Sequence, residues 1–210
     1  MRGVSCDAIE CYVHFSTTET LDPARVRTVA AAGEGIIALV TGPPGAGKTT
    51  VVRAACELIV RQTQQPAVHL EFDDFVYGVN DPLGGLESRV QTGLQMAVAA
   101  SRAGAASCGW LVLEGFFSPR HWLEHLQSHL PVLATFGLNA PRDTCWARNE
   151  VRGDDDRLSE AAFEAIYGRL DVSPSDDLPD MRWLDTTAPL ETVAERLATE
   201  LILLAPSRVV

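Results

Sequence analysis

The chain has 210 residues, 46% of them hydrophobic, with a formal net charge of -11. That length suits one well-buried α/β domain and excludes two large ones, while the acidic balance opposes non-specific association with nucleic acid or an anionic membrane. The five cysteines, Cys6, Cys11, Cys56, Cys108 and Cys145, are odd in number and scattered, without the paired C-x-x-C units of a zinc or dithiol site; with no secretory leader pattern and no membrane-length apolar run, a soluble, cytoplasmic protein with reduced thiols is expected.

Residues 1–33 read as an N-terminal extension in which Asp22 and Pro23 signal the start of a short helix. From residue 34 to residue 210, apolar strands alternate with amphipathic helices, the pattern of parallel strands joined by helical crossovers in one domain. The first strand is expected over Gly35 to Thr41 and the first helix over Thr50 to Arg61. Between them stands Gly42-Pro43-Pro44-Gly45-Ala46-Gly47-Lys48-Thr49, a complete G-x-x-x-x-G-K-[ST] loop. A second strand runs from Ala67 to Phe72, a helix from Leu86 to Ala103, and a third strand from Trp110 to Leu113 that ends at Glu114. His121 to Leu130 is a further helix and Val132 to Leu138 a fourth strand. A polar, arginine-bearing region follows; the last strand, Met181 to Leu184, and a helix from Leu190 to Leu204 close the chain.

The loop at Gly42 carries the most chemistry. A glycine-rich turn between strand and helix points backbone N–H groups at phosphate oxygens, and the helix dipole adds positive potential there. Lys48 is the only lysine in the chain, every other long cation being arginine, and its compact ammonium can follow a transferring phosphate where a planar guanidinium fits poorly. Thr49 offers the hydroxyl that this motif places on Mg2+, and Thr50 continues the cradle. In an open parallel sheet, ligands bind beyond the carboxyl ends of the strands, so the residues that follow each strand are the informative ones. Asp73 and Asp74 follow the second strand: either carboxylate could orient and deprotonate an alcohol, Asp73 being the first choice, while a turn-capping role is the structural alternative. Glu114 ends the third strand, where it could hold the water shell of Mg2+. Arg148 and Arg152 lie four apart and on a helix would share one face, close over ATP and stabilise developing charge; Arg157 could fold back to the same place. The competing reading is an exposed helix laced by local ion pairs worth little individually. His69 reads as a core histidine. His121, His125 and His129 recur every four residues but lack the acidic partner of a recognised zinc pattern. Phe116, Phe117 and Trp122 suit either an acceptor wall or the core.

These residues together resemble the P-loop small-molecule kinases, the group of uridine, gluconate and shikimate kinases, and above all the chloramphenicol phosphotransferases. The second-strand acid followed by a polar residue is similar to Asp73-Asp74, and the family's lid pattern of Arg, a three-residue gap, then Arg-Gly-Asp matches Arg148 to Asp154. Glu114-Gly115 is closer to the uridine-kinase branch. The stretch Asp185-Thr186-Thr187 is similar to the family's nucleotide-base loop, which implies a role there for Thr186 and Thr187. The resemblance implies an α/β fold of three layers, a parallel five-stranded sheet with helices on both faces and a small helical lid over about residues 142–179. It also implies ATP and Mg2+ as cosubstrates and a small-molecule hydroxyl acceptor such as an antibiotic or a nucleoside-like metabolite. A nucleotide-dependent regulatory ATPase is the alternative class, and a polynucleotide 5′-hydroxyl kinase a third that the acidic charge disfavours. A GTPase with an N-K-x-D motif is ruled out by the absence of a second lysine. No membrane partner is expected, and assembly as a homodimer is left open.

Overall fold

The computed structural model describes residues 12–14, 35–79, 85–153, 157–169 and 181–205. Their elements, in chain order, begin with β1 (Tyr12–His14), β2 (Ile36–Thr41), α1 (Lys48–Thr63), β3 (Ala67–Glu71), α2 (Phe72–Tyr77) and α3 (Leu86–Ala105). There follow β4 (Trp110–Gly115), α4 (Arg120–His129), β5 (Val132–Asn139), α5 (Arg142–Glu150), α6 (Glu160–Tyr167), β6 (Met181–Asp185) and α7 (Leu190–Leu204).

The strands form one parallel sheet in the order β1-β3-β4-β2-β5-β6. β2 is buried at every position because it is covered on both faces, which is why it reads as a continuous apolar run instead of an alternating one. Ile36, Ala38 and Val40 face a core completed by α1 and α7. Ile37 and Leu39 face the opposite core, built with α2, α3 and α4. Burying an aliphatic side chain of this size contributes about 1.5–3 kcal/mol, so these two layers dominate the stability. α1 earns its place through Val51, Val52, Ala55, Cys56, Ile59 and Val60, one apolar stripe at helical spacing; it stops at Gln64, in the left-handed region with φ 57°, just before Pro66.

The expected α/β architecture with helices on both faces is present, with one addition. The five expected strands are β2 to β6, and a sixth, β1, comes from the N-terminal extension and pairs in parallel with β3, His14 opposite His69. Three residues are too short to give a periodic signal, so this strand leaves no trace in the sequence pattern. The short helix expected from Asp22 lies outside the described residues, as does part of the region expected as a lid. A second difference concerns the end of β3. Asp73 and Asp74 do not sit in a loop: α2 starts at Phe72 without any turn, so both acids occupy the first turn of a six-residue helix, where negative charge is favoured by the helix dipole.

The topology fixes where a site can form. The chain leaves β2 to build β3 and β4 on one side, then crosses to β5 and β6 on the other. The crevice at this switch point opens at the carboxyl ends of the strands, and Thr41, Glu114, Gly115, Gly137, Asn139 and Asp185 line up there through the strand register.

Candidate active site

The loop from Gly42 to Gly47 leaves β2 and delivers the chain into α1. Gly45 and Gly47 hold φ 78° and 86°, a region open to glycine at little cost. Gly45 is further constrained by space, since a Cβ there would come within 2.2 Å of the Cys145 carbonyl oxygen on α5. α1 starts with Gly47 as its cap, no side chain covering its first amides and no acid in its first turn, the arrangement that favours an anion. Lys48 Nζ donates to the carbonyl oxygens of Gly42 at 3.1 Å and Pro43 at 3.3 Å, so its charge lies over the loop.

Behind the loop, Thr49 donates from Oγ1 to Glu114 Oε1 at 2.6 Å. Glu114 is only 3% exposed. Burial pushes its carboxyl up, but the neighbouring His69, the Lys48 charge and the Thr49 hydroxyl together hold it below the usual range, so it stays ionised. His69, fully buried, brings Nε2 to 3.7 Å from the same oxygen, an electrostatic contact longer than a hydrogen bond. Glu71 is the register partner of Glu114 on β3, and burial beside that carboxylate pushes its own carboxyl up, against the pull of His69 and Arg53. Among the described residues, His69, Glu71 and Glu114 are the group whose donor atoms, all within 4.8 Å of one another, could hold a metal ion. For Mg2+, which prefers oxygen ligands and retains water, the Thr49 hydroxyl and the Glu114 carboxylate supply a fitting donor pair at the foot of the cradle.

Asp73 faces the loop from α2. Its side chain reaches solvent, yet enough protein surrounds it for desolvation to push its carboxyl up; Lys48 and Arg152 pull it down, while Glu114 and Asp74 push it further up. Asp74 is half-buried beside it.

On the opposite side, Arg148 projects from α5 and acts as a clamp. Its Nη1 donates to the Gly45 carbonyl and to Thr186 Oγ1, both at 3.3 Å, and its Nη2 to the Thr186 carbonyl at 2.6 Å. Thr186 is itself buried, with N–H and Oγ1 both donating to the Asn139 carbonyl at 2.8 and 3.1 Å. Arg148 thus ties the phosphate loop to the segment after β6. The expectation that Arg148 and Arg152 share a helix face is corrected: α5 ends at Glu150, and Arg152 follows the C-cap Val151 in a turn closed by its N–H to the Asn149 carbonyl. Buried Asn149 then exchanges two hydrogen bonds with Leu158, at 2.9 and 3.0 Å, bringing the chain back toward α6.

Lys48, Thr49, Glu114, Asp73, Arg148, Arg152 and Thr186 therefore converge on one crevice. Within the loop, Pro43 and Ala46 are buried and Pro44 is half-buried. Thr50, Thr187 and Arg157 are exposed, and Thr187 is engaged with Asp185, donating from N–H and Oγ1 to Oδ1 at 2.8 and 2.7 Å. The histidine stripe does not gather into a donor cluster: His125 and His129 stack at 4.2 Å, and His129 Nδ1 contacts the His125 carbonyl and Ser128. Phe117 is core, edge-on to Phe72. Sequence reasoning missed Glu71, whose spacing of two from His69 puts both on one strand face, and Asn149, whose partner nine residues on gives no local signal.

No protein-family model matches the sequence, and no curated protein matches it significantly. Solved structures do. A sugar kinase from a Janibacter species superposes with a TM-score of 0.60 at 18% identity, over 82% of this chain and 97% of that one. The APS kinase CysC of Mycobacterium tuberculosis, solved with AMPPNP and APS, gives a TM-score of 0.59 at 21% identity over 82% and 99%. Kti12 of Chaetomium thermophilum in complex with ADP-AlF3 gives 0.55 at 15% identity over 79% and 98%. The chain has the α/β fold of the P-loop kinases. Among the described residues, no helix is long and apolar enough to cross a membrane.

Proposed function

We propose that this protein is an ATP-dependent phosphotransferase that moves the γ-phosphate of ATP to a hydroxyl of a small molecule in the cytoplasm, in the manner of the chloramphenicol phosphotransferase-like kinases. The observation that carries the reading is the meeting, in one crevice, of a P-loop with its lysine, a hydrogen-bonded Thr49–Glu114 pair and a carboxylate just past the end of β3. Lys48 and the amides at the start of α1 bind the phosphates. Mg2+, when bound beside Thr49 and Glu114, neutralises charge on the phosphate oxygens. Asp73 accepts the proton of the acceptor hydroxyl as its oxygen bonds to the γ-phosphorus and the bond to the β-phosphate oxygen breaks, releasing ADP. Arg148 fixes the cradle against the Thr186 segment, where Thr186 and Thr187 flank the adenine side, and Arg152 and Arg157 offset the charge developing in transfer. The acceptor belongs with antibiotics or nucleoside-like metabolites.

The test is ADP release with Mg·ATP across nucleosides, sugars, aminoglycosides and phenicols, with mass spectrometry for an added phosphate. An acceptor-dependent rise that Lys48→Ala abolishes is expected; near-normal turnover in that variant overturns the assignment. The likeness to Kti12 with ADP-AlF3 keeps a second reading, a nucleotide-driven regulatory ATPase. It requires slow hydrolysis unaffected by any alcohol.

A further inference from the structure

Three donor groups gather on the face of the sheet that α1 covers, behind the phosphate loop. His69 and Glu71 stand two apart on β3 and so project to the same side. Ala67, which precedes them on that side, packs with Trp110 and Val112 of β4 in the core beneath α1. Glu114 continues the β4 row and is the register partner of Glu71, as Val112 is of His69. Thr49, at the head of α1, reaches Glu114 there.

The spacing suits one ion. The donor atoms of His69, Glu71 and Glu114 lie within 4.8 Å of one another, and His69 Nε2 is 3.7 Å from Glu114 Oε1. Two ligands on one zinc ion stand about 3.3–4.2 Å apart, given bonds near 2.1 Å, so the group closes on an ion with side-chain movement below about 1 Å. The charges ask for one as well. Two carboxylates in register on neighbouring strands repel, and with Glu114 buried and Glu71 half-buried, water screens them poorly. Lys48 and Arg53 offset part of this charge, and a protonated His69 would offset one carboxylate. A divalent cation offsets both and takes the neutral imidazole as a ligand. Mg2+ favours oxygen ligands and keeps its waters, whereas a nitrogen beside two carboxylates suits zinc and its first-row neighbours. Glu71 leaves the group a side open to solvent.

We propose that His69, Glu71 and Glu114 form a binding site for a divalent first-row transition ion, zinc above all, that fills without nucleotide. The two β3 donors set it apart from the Mg2+ that enters with ATP beside Thr49; Glu114 is common to both. The site goes beyond the kinase reading and does not depend on it.

The experiment is calorimetric titration of the full chain, treated with a chelator and dialysed free of metal and nucleotide, with Zn2+ and Mg2+ in separate runs. The tightest zinc site should hold one ion per chain and bind it 100-fold or more tightly than Mg2+. Co2+ taken up in place of zinc should show d–d bands without the charge-transfer band of a thiolate ligand, which excludes the cysteines. Glu71→Gln and His69→Gln should each weaken zinc binding by 10-fold or more, and His129→Gln, on the exposed α4 stripe, should leave it unchanged. If His69→Gln does not fold, Glu71→Gln decides alone. No zinc binding, Mg2+ binding as tight as zinc, a thiolate band, full zinc affinity in Glu71→Gln or loss of it in His129→Gln overturns the proposal. A failed kinase reading is seen apart from this, as no heat with Mg·ADP, which none of these titrations contains.

Discussion

Asp73 is required in its ionised form if it takes a proton from the acceptor, yet desolvation by the protein around it and two neighbouring acids push its carboxyl above the ordinary aspartate range. The sign is therefore fixed: turnover falls as pH drops through this raised pKa, at a higher pH than a free aspartate would give. Asp73→Asn should lower kcat by about 100-fold, remove that acid limb and leave ATP binding nearly intact, as read from pH–rate profiles with nucleotide titration. If Asp74→Asn shows this behaviour in its place, the base is Asp74. Arg152, exposed beyond the end of α5, carries little of the fold, so Arg152→Ala should slow single-turnover transfer while Tm stays put. Unchanged single-turnover rates would make it an ordinary surface residue. For Glu114→Gln, removing the charge that Thr49 and His69 address should raise the Mg2+ concentration needed for half-maximal rate by about 10-fold or more, assuming one charge-assisted contact is lost, as a metal titration would show.

Among the elements, the segment from Arg142 to Tyr167 tests how the arginines are held. Trp146 meets Phe163 edge-on at 5.1 Å between ring centres, and Phe163 stacks on Tyr167 at 5.4 Å, with Arg142 over Phe163. Asn149 joins this unit to the returning chain. Asn149→Ala strips both partners from Leu158 and should cost about 1–3 kcal/mol, measured by denaturant unfolding, with a loss of turnover greater than the loss of stability explains. The strands and long helices were legible in sequence because their apolar periodicity is local: β2 to β6 and α1, α3, α4 and α7 were all anticipated within a few residues. The phosphate loop was legible because its chemistry demands a fixed spacing of glycine and lysine. What escaped depends on distant parts of the chain. α2 follows β3 with no breaker between them, so it read as strand end and loop. The pairing of Glu71 with Glu114 is a matter of register between strands 43 residues apart (114 less 71). The shared helix face of Arg148 and Arg152 does not form, because four-residue spacing says nothing about whether a helix reaches that far.

At the scale of the whole molecule, β1 covers the outer edge of β3, and an open parallel edge invites pairing with another chain. Deleting residues 1–34 should lower Tm, by about 2–4 °C for each kcal/mol lost in a domain of this size, and raise self-association seen by light scattering; a monomer of unchanged Tm would make β1 dispensable. The contact between Gly45 and α5 has a mechanical consequence. With the Cys145 carbonyl pressed against the loop and Arg148 bolted to it, the root of α5 is an abutment: swinging it inward would drive one backbone into another. On the kinase reading, the root of α5 stays fixed through the reaction, so rigidity engineered upstream of Glu150 should leave turnover untouched, and a loss of turnover from such a brace would mean that this abutment has to give way.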